Sequence, residues 1–361
     1  MLKLFTIVGA RPQFIKAAAV SRAIRQHFSE QIHEFIIHTG QHYDRNMSEA
    51  FFQELEIPKP YINLELGGMS SAQQLTEIKE KLAAIFTREK PDWVLVYGDT
   101  TSTLAGAEAA VHCGIRLAHV EAGLRSYDNS MPEERNRVRT DRLSDILLCP
   151  TEQAVENLKK EGIVDGEKVK VLQVGDVMYD SVKYYAEKEK ASETSEACHV
   201  LLTLHRAGNT DDTERFKALV GNVIRLAEEK KVQVLWPVHP RIKAQLEAHF
   251  PQLAQHAWIR TVGPMGYLET LKAQREAIMG ITDSGGVQKE LYLQGRPSLI
   301  LRAETEWTEI VEDGKAICVD ADYDELKRGY DTLAGKFFTP KAALYGDGSS
   351  AIKICEALIG S

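Results

Sequence analysis

Apolar runs alternate with amphipathic stretches along nearly the whole of the 361-residue chain. The short apolar runs predict buried strands, and the stretches of helical period between them predict helices. The predicted strands are Leu4–Val8, Glu34–His38, Trp93–Tyr97, Leu117–Val120, Ile146–Leu148, Val169–Val174, Val200–Leu204, Val234–Val238, Ile259–Val262, Ala277–Ile281 and Ser298–Leu301. The clearest predicted helices are Gln13–Phe28, Ala72–Glu89 and Asp212–Lys230. This rhythm predicts the α/β class, with parallel sheets built from βαβ units.

The length of the chain and one polar run predict two domains. A chain of 361 residues is longer than one compact core usually supports. The polar run Glu187–Glu196 is the best candidate for a linker, and a new strand follows it. We therefore expect two Rossmann-like domains that face a cleft. Ligands of such sheets bind outside the carboxyl ends of the strands, so the residues that follow each strand matter most.

Composition narrows the class of protein. The chain is 43% hydrophobic and 27% charged, as expected for a soluble globular protein, and no apolar run approaches the roughly 18 residues that span a bilayer. A net charge of −8 argues against nucleic acid as the main partner. The N-terminus reads as a first strand rather than a signal peptide. Five scattered cysteines predict free thiols in a reducing cytoplasm and suggest no metal site.

The stretch 277–290 contains the most informative turn. The apolar run Ala277–Ile281 is followed by Thr-Asp-Ser-Gly-Gly and then by a helical pattern that starts at Val287. A strand that turns into a helix through glycines presents free backbone N–H groups and the positive end of a helix dipole, which together favour an anion such as phosphate. The alternative is an ordinary strand–helix turn capped by Ser284.

Candidate acid–base groups follow strands in the N-terminal half. Asp99 follows the strand Trp93–Tyr97, although it is equally suited to cap the next helix. Glu121 follows the strand Leu117–Val120. Downstream, Glu133 and Glu134 begin a predicted helix, and one of the two is expected to serve only the helix dipole. Carboxylates that converge on one pocket perturb one another's pKa values and supply acid–base roles.

The basic residues divide into two sets. Arg11 and Lys16 follow the first strand and could face an anion, whereas the run Arg135, Arg137, Arg139 and Arg142 predicts a solvated helical face. In the C-terminal half, His205 and His239 each follow a strand and each stand beside an arginine. One such histidine is more often structural, but two suit a pyrophosphate. Neither shows the spacing of metal ligands, and the chain has no GxGxxG fingerprint.

Seven motifs in this order resemble the non-hydrolysing UDP-N-acetylglucosamine 2-epimerases, and the resemblance covers essentially the whole chain. They are GARPQFIK (9–16), GDTTSTLAG (98–106), HVEAGLRS (119–126), MPEERNR (131–137), TLHR (203–206), PVHPR (237–241) and TDSGGVQKE (282–290). The resemblance implies a glycosyltransferase-B-like fold and usually a homodimer. It also implies a C-terminal helix, about Ser350–Ile359, that crosses back onto the first domain. The predicted domains are therefore residues 1–185, 186–345 and the helical segment 346–361.

The resemblance implies inversion at C2 of a UDP-sugar without a redox cofactor. Family members eliminate UDP to give a 2-acetamidoglucal and add UDP back after a proton arrives on the opposite face. This chemistry needs two proton-transfer groups and a clamp for the leaving diphosphate. Carried over by motif, the catalytic residues are Asp99, Glu121, Glu133 and His205, and the substrate-binding residues are Arg11, Lys16, His239, Ser284, Gly285, Gly286 and Glu290.

Some positions depart from the commonest family pattern. Gly208 stands where many members carry a glutamate after the His-Arg motif. The stretch Ala303–Glu309 contains Trp307 and is similar to relatives that act on UDP-2,3-diacetamido-2,3-dideoxyglucuronate. The stretches Gln41–Asp44, Asn46–Glu49, Gly175–Met178 and Asn209–Asp211 share that similarity. Both sugars therefore stay open as substrates. A UDP-dependent glycosyltransferase, a hydrolysing epimerase and a non-catalytic UDP-sugar-binding module are the competing functions.

Overall fold

The chain divides into two compact units. The computed structural model describes residues 1–41, 52–189 and 198–361. The first unit contains Met1–Tyr184 and Ala342–Ser361, and the second contains Tyr185–Lys341. A helix, Val177–Glu189, extends into the segment predicted as a linker, and residues 190–197 of that segment lie outside the described residues. Most of the stretches 41–44 and 46–49 also lies outside them.

Each unit is built on one parallel sheet. The strands are β1 (Leu2–Val8), β2 (Ile32–His38), β3 (Ile62–Asn63), β4 (Trp93–Tyr97), β5 (Arg116–Val120), β6 (Ile146–Cys149), β7 (Lys170–Gln173), β8 (His199–Thr203), β9 (Gln233–Pro237), β10 (Ile259–Val262), β11 (Ala277–Thr282), β12 (Ser298–Ile300) and β13 (Ala316–Cys318). The strand orders are β3-β2-β1-β4-β5-β6-β7 and β10-β9-β8-β11-β12-β13. The predicted α/β class with two Rossmann-like units is confirmed.

Helices connect the strands, as parallel pairing requires. In the first unit the helices are α1 (Arg11–Ala23), α2 (Ser71–Glu89), α3 (Thr101–His112), α4 (Pro132–Leu143), α5 (Glu152–Lys160) and α6 (Val177–Glu189), the last of which runs on into the second unit. In the second unit they are α7 (Ala207–Thr210), α8 (Thr213–Lys230), α9 (Pro240–His249), α10 (Tyr267–Arg275), α11 (Gly285–Leu293), α12 (Thr308–Glu312) and α13 (Tyr323–Leu333). The segment after Lys341 forms α14 (Ala342–Tyr345) and α15 (Ser350–Ile359). A π-helical turn, Ile24–Phe28, extends α1, and a 3₁₀ turn spans Pro251–Gln255.

The strand order places a crevice in each unit. In the first unit β1 and β4 are neighbours, and the chain fills the sheet outward from them in opposite directions. In the second unit β8 and β11 hold the same position. Helices that leave two neighbouring strands in opposite directions open a crevice at the carboxyl ends, where α/β proteins bind ligands. The residues after β1, β4 and β5, and those after β8, β9 and β11, are therefore the candidates for chemistry.

Helix α15 joins the first unit and packs against α1. Its first turn is held by Asp180 of α6, whose carboxylate accepts hydrogen bonds from the backbone N–H groups of Ser350 (3.2 Å) and Ala351 (2.8 Å). A carboxylate at a helix N-terminus satisfies donors that have no partner within the helix. Asp180 therefore fastens the last segment of the chain to the first unit.

The stability that Asp180 contributes is expected to fall as pH rises, because its buried carboxyl group is costly to ionise. Burial raises the pKa of Asp180 from 3.8 to about 6, even though its backbone donors act to lower it. A folded-state pKa above the unfolded value gives stability that is complete below about pH 4 and is lost as the pH rises through about 6. Asp180→Asn stays neutral throughout, so its stability relative to the wild type should increase between pH 4 and pH 7.

Urea unfolding of both proteins across this pH range measures that difference. Asp347→Asn is the matched control near the same helix, because hydrogen bonding from Ser349 lowers the pKa of Asp347 to about 2. Its difference from the wild type should stay flat between pH 4 and pH 7. A flat difference for Asp180→Asn as well would contradict the assignment.

Candidate functional site

Lys16 and Glu121 meet above Gly98 in the first unit. The ammonium of Lys16, from α1, pairs with the carboxylate of Glu121, which follows β5, and both side chains are about nine-tenths buried. A Cβ placed on Gly98 would lie 3.2 Å from Nζ of Lys16 and 3.5 Å from Oε2 of Glu121. The structure therefore brings together three motifs that are far apart in sequence, at the carboxyl ends of β1, β4 and β5.

Glu121 holds an unfavourable backbone conformation. Its φ is +69°, in the left-handed region that favours glycine. Such a conformation costs about 1–3 kcal/mol and persists only where the surroundings enforce it. Here the backbone N–H of Glu121 donates to the carbonyl of Leu148 at 3.1 Å. Strain of this kind at the end of a central strand is typical of a residue that is aimed at a site.

Asp99 does not cap the following helix. Thr100 is the N-cap of α3, and its hydroxyl accepts from the backbone N–H of Thr103 at 3.3 Å. The Asp99 carboxylate instead pairs with the guanidinium of Arg137 and keeps 30% of its surface exposed. Asn136 donates to the Asp99 carbonyl at 2.9 Å. The alternative of a helix cap is therefore excluded, and the carboxylate is fixed at the edge of the crevice.

The two glutamates at the start of α4 have different environments. Glu134 is buried and accepts from the backbone N–H groups of Ser126 (3.0 Å) and Tyr127 (3.1 Å) and from Arg137. Glu133 is exposed in the first turn of the helix. Glu134 therefore has a structural role, although it binds the loop before α4 rather than serving only the helix dipole, and Glu133 is the member exposed to solvent.

The predicted solvated face of α4 is wrong at one position. Arg135, Arg139 and Arg142 are exposed as expected, but Arg137 is only 8% exposed. Its guanidinium joins Asp99 to Glu134 and so links the end of β4 to the first turn of α4. The helical period alone did not distinguish this arginine from its neighbours.

The turn after β1 is tied to β4 by Gln13, which the sequence analysis did not single out. Its side-chain oxygen accepts from the backbone N–H groups of Gly9 (2.8 Å) and Ala10 (3.1 Å), and its amide donates to the carbonyl of Tyr97 at 3.0 Å. Arg11 is partly buried at the first position of α1. Gln13 thereby fixes the starting point of the helix that carries both Arg11 and Lys16.

In the second unit, the turn Asp283–Gly286 leads from β11 into the N-terminus of α11. Ser284 is the N-cap of α11, yet its hydroxyl makes no capping hydrogen bond, unlike that of an ordinary serine cap. A Cβ on Gly285 would lie 2.2 Å from Oε1 of Glu306, so a larger residue there would displace the Glu306 carboxylate. A Cβ on Gly286 would meet only Oγ of Ser284, at 4.0 Å. The protein itself therefore does not require glycine at position 286.

Asp283 is a buried hub that the sequence analysis did not assign to the site. Its carboxylate accepts from the backbone N–H groups of His205 (3.0 Å) and Arg206 (2.9 Å) and from the side-chain amide of Asn209 (3.2 Å). Asn209 also donates to the carbonyl of Leu301 at 2.9 Å. The loop that carries His205 and Arg206, here called the His-Arg loop, is thus fixed by Asp283 and Asn209. Gly208 is exposed, and a Cβ there would touch nothing.

The two histidines of the second unit stack on each other. The ring centroids of His205 and His239 are 5.4 Å apart, with planes inclined by 24°. Nδ1 of His205 lies 3.4 Å from Oδ1 of Asp283. Nδ1 of His239 accepts from the backbone N–H of Arg241 at 3.2 Å and so caps α9. This contact fixes the tautomer of His239, so its Nε2 carries the hydrogen and can act as a donor.

Glu290 and Glu306 complete the surroundings of the turn. Glu290 is 5% exposed and accepts from the side-chain amide of Gln274 at 2.7 Å. Glu306 pairs with Arg206 at 3.2 Å and with Arg302 at 2.7 Å. Burial alone would raise the pKa of Glu306, but the two arginines hold it below its ordinary value. Glu306 therefore stays ionised and ties the His-Arg loop to the segment after β12.

Across residues 1–41, 52–189 and 198–361, no group of three or more His, Cys, Asp or Glu side chains could hold a metal ion. In the same ranges no helix is both long and apolar enough to cross a membrane.

Comparisons with known proteins agree with this geometry. The family model described as UDP-N-acetylglucosamine 2-epimerase matches residues 23–359. A Methanococcus maripaludis protein named UDP-N-acetylglucosamine 2-epimerase homolog is 45% identical, with 99% of each chain covered. The UDP-2,3-diacetamido-2,3-dideoxy-D-glucuronate 2-epimerase of Pseudomonas aeruginosa is 42% identical, again with 99% of each chain covered.

A solved structure of a UDP-GlcNAc 2-epimerase also matches this chain over its whole length. The Methanocaldococcus jannaschii UDP-GlcNAc 2-epimerase, crystallised with UDP-GlcNAc and UDP, superposes with a TM-score of 0.89 at 36% identity and with 100% of each chain covered. The resemblance inferred from the seven motifs is therefore confirmed. On the match of its sequence and of both its sheets, this chain belongs to the UDP-N-acetylglucosamine 2-epimerase family.

Proposed function

We propose that this chain inverts C2 of UDP-N-acetylglucosamine without hydrolysis and so interconverts it with UDP-N-acetylmannosamine. The observation that carries the proposal is the meeting of Lys16 and Glu121 above Gly98, directly beside Asp99, in a member of this family. An ion pair that only stabilised the protein surface would need neither a buried lysine nor a glutamate in a strained backbone conformation. A non-catalytic binding module would leave both unexplained.

The reaction proceeds by elimination and re-addition. A carboxylate removes the proton from C2, the electrons of the C2–H bond form the C1–C2 double bond, and the electrons of the C1–O bond leave with UDP. The reverse step returns the oxygen of UDP to C1, while a carboxylic acid delivers a proton to the opposite face of C2. Two proton-transfer groups are needed, each worth about 10²–10⁴-fold in rate. Asp99, Glu121 and Glu133 are the three carboxylates proposed for these roles.

The second unit is proposed to retain the diphosphate. Backbone N–H groups at a helix N-terminus bind phosphate oxygens, and the proposal places the diphosphate of UDP on Ser284, Gly285 and Gly286. The Ser284 hydroxyl makes no capping hydrogen bond to α11, which supports this placement. His205 and His239 supply ring N–H groups on the phosphate side, and Glu290 is assigned to the ribose hydroxyls. Arg11 and Lys16 are proposed as further cations for the sugar nucleotide. Retention of UDP separates epimerisation from hydrolysis.

Gly286→Ala should weaken UDP binding without harming the fold. The protein has room for the methyl group, but the methyl group would keep a phosphate from approaching the backbone. The dissociation constant measured by calorimetry should therefore rise about tenfold or more, which corresponds to a loss of about 1.4 kcal/mol in binding free energy. Gly221→Ala is the matched control, since Gly221 lies within α8 with no atom near its added Cβ. It should stabilise the fold by about 0.5–1 kcal/mol and leave UDP affinity unchanged. Unchanged affinity in Gly286→Ala would contradict the placement of the diphosphate.

A second substrate is favoured by one feature of the second unit. The stretch around Trp307, similar in sequence to uronate-specific relatives, lies against the turn: a Cβ on Gly285 would come within 3.2 Å of Nε1 of Trp307. Trp307 also packs on Lys289 of α11, with Nζ 4.0 Å from the ring centroid. The relative from Pseudomonas aeruginosa is named for the diacetamido uronate. UDP-2,3-diacetamido-2,3-dideoxyglucuronate is therefore the alternative substrate of the same reaction.

Incubation with each sugar nucleotide, followed by NMR of the products, decides between these functions. A UDP-linked epimer of one sugar identifies the substrate. Release of free sugar and UDP would indicate a hydrolysing epimerase. Turnover only after an acceptor is added would indicate a glycosyltransferase. Either of the last two results would contradict the proposal.

The proposal also includes the oligomeric state of the enzyme and its location in the cell. The family resemblance supports a homodimer, and five free cysteines support a cytoplasmic location. Light scattering on the purified protein tests the first point, since a dimer has twice the mass of the 40.4 kDa chain. A monomeric mass would remove the dimer from the proposal. Cell fractionation tests the second point, and recovery outside the cytoplasmic fraction would contradict it.

A further inference from the structure

His119 is a fully buried histidine that the proposed chemistry does not use. It occupies the next-to-last position of β5. Nδ1 lies 2.7 Å from Oδ1 of Asp141, and Nε2 lies 2.7 Å from the carbonyl oxygen of Gly98. A carbonyl and an ionised carboxylate only accept hydrogen bonds. Both ring nitrogens of His119 therefore face hydrogen-bond acceptors.

Asp141, from α4, connects this ring to the segment that follows Glu121. Its Oδ2 accepts from the backbone N–H of Gly123 at 3.2 Å and from Nη1 of Arg125 at 2.7 Å. Arg125 also forms a two-point contact with Glu161, at 2.6 and 3.1 Å. The cluster thus joins the ring of His119 and the guanidinium of Arg125 to the carboxylates of Asp141 and Glu161. Burial alone would raise the pKa of Asp141, but His119 and Arg125 hold it below its ordinary value.

The cluster contacts the backbone next to Asp99 and next to Glu121. Gly98, which accepts from His119, directly precedes Asp99. Glu121 lies between His119 and Gly123, both of which Asp141 binds. Glu121 is also the residue held at a φ of +69°. The His119–Asp141 pair therefore fastens the main chain on both sides of the strained glutamate and at the residue before Asp99.

We infer that His119 and Asp141 are positioning residues that set the placement of Asp99 and Glu121 for proton transfer at C2. The inference rests on the proposed function. A purely stabilising buried ion pair would affect folding, substrate binding and catalysis together. A positioning pair affects the chemical step above all, because displacing a reacting group by about 1 Å can cost about 10²-fold in rate.

The test compares His119→Phe, His119→Gln and Asp141→Asn in the full-length enzyme. The readouts are kcat and KM for the sugar nucleotide that the wild type epimerises, UDP affinity by calorimetry, and the unfolding midpoint. His119→Phe should lose about 10²-fold in kcat with KM and UDP affinity close to wild type. His119→Gln keeps a donor for one of the two acceptors and should recover part of the loss. Asp141→Asn should resemble His119→Phe, because the amide replaces one of the two acceptor oxygens of the carboxylate with an NH₂ donor.

His112→Ala is the matched control, since His112 is exposed at the end of α3. It should keep wild-type values throughout. Wild-type kcat in His119→Phe would overturn the inference, and so would a parallel loss of kcat, UDP affinity and stability without rescue by His119→Gln. If His119→Phe does not fold, His119→Gln and Asp141→Asn decide by the same criteria. A wild-type enzyme that epimerises neither sugar nucleotide would instead contradict the proposed function.

Discussion

Glu133→Gln is expected to keep the stability of the wild type and to lose exchange of the C2 hydrogen by about 10²–10⁴-fold, the usual contribution of a proton-transfer group. Glu133 is exposed in the first turn of α4, so its replacement removes only a favourable interaction with the helix dipole, worth at most about 1 kcal/mol. The amide cannot accept or deliver the proton. Solvent-deuterium incorporation at C2 should therefore fall in this variant, whereas UDP affinity and the thermal unfolding midpoint should stay close to wild-type values.

Glu134→Gln is the control for this prediction, because it makes the same chemical change one residue away. Glu134 is buried and accepts from Ser126, Tyr127 and Arg137. Its replacement should lower stability by about 1–3 kcal/mol, since a neutral amide leaves some of these donors unsatisfied.

Asp99→Asn and Glu121→Gln are expected to abolish exchange as Glu133→Gln does, with UDP binding largely intact. Near-normal exchange in all three would contradict the assignment of the carboxylates.

Asp283→Ala should destabilise the second unit by several kcal/mol, at about 1–3 kcal/mol for each donor left without an acceptor, and remove most UDP affinity. The fully buried carboxylate of Asp283 satisfies two backbone N–H groups and one side-chain amide in the His-Arg loop. Alanine leaves these donors without an acceptor and releases His205 from its position. Chemical denaturation and calorimetry with UDP measure the two effects.

Asp211→Ala is the control for Asp283→Ala, because Asp211 is an exposed carboxylate, two positions after Asn209, that pairs with Arg241. Exposed pairs contribute about 1 kcal/mol or less, so this variant should keep UDP affinity and nearly all of its stability. If Asp283→Ala behaves like Asp211→Ala, the role of Asp283 as the hub of the loop is wrong.

The strands and the residues at their ends could be predicted from the sequence. A buried parallel strand is apolar on both faces, so runs such as Trp93–Tyr97 and Ala277–Thr282 are distinct from their surroundings. The strands that the pattern missed, Ile62–Asn63 and Ala316–Cys318, contain only two and three residues, too few to show a period. The polar residues after the predicted strands then indicated Asp99, Glu121 and Ser284 as candidates.

The supporting contacts could not be predicted in the same way. His119 and Asp141 are 22 positions apart, and only the pairing of β5 with its neighbours and the packing of α4 bring them together. Arg137 was indistinguishable by helical period from the exposed arginines of α4. Asp283 had one usable signal, since a carboxylate directly after a buried strand and before a glycine turn is well placed to bind the next loop. Such tertiary contacts decide which polar residues are structural.

The central claim, that UDP leaves C1 and returns while C2 exchanges its proton, is tested most directly by one NMR measurement. The wild-type enzyme is incubated in D₂O with UDP-N-acetylglucosamine and, separately, with its 2,3-diacetamido uronate counterpart. We expect one of these to accumulate as its C2 epimer, still linked to UDP and carrying deuterium at C2. An epimer that retains the original hydrogen at C2, or no UDP-linked epimer from either sugar, would contradict it.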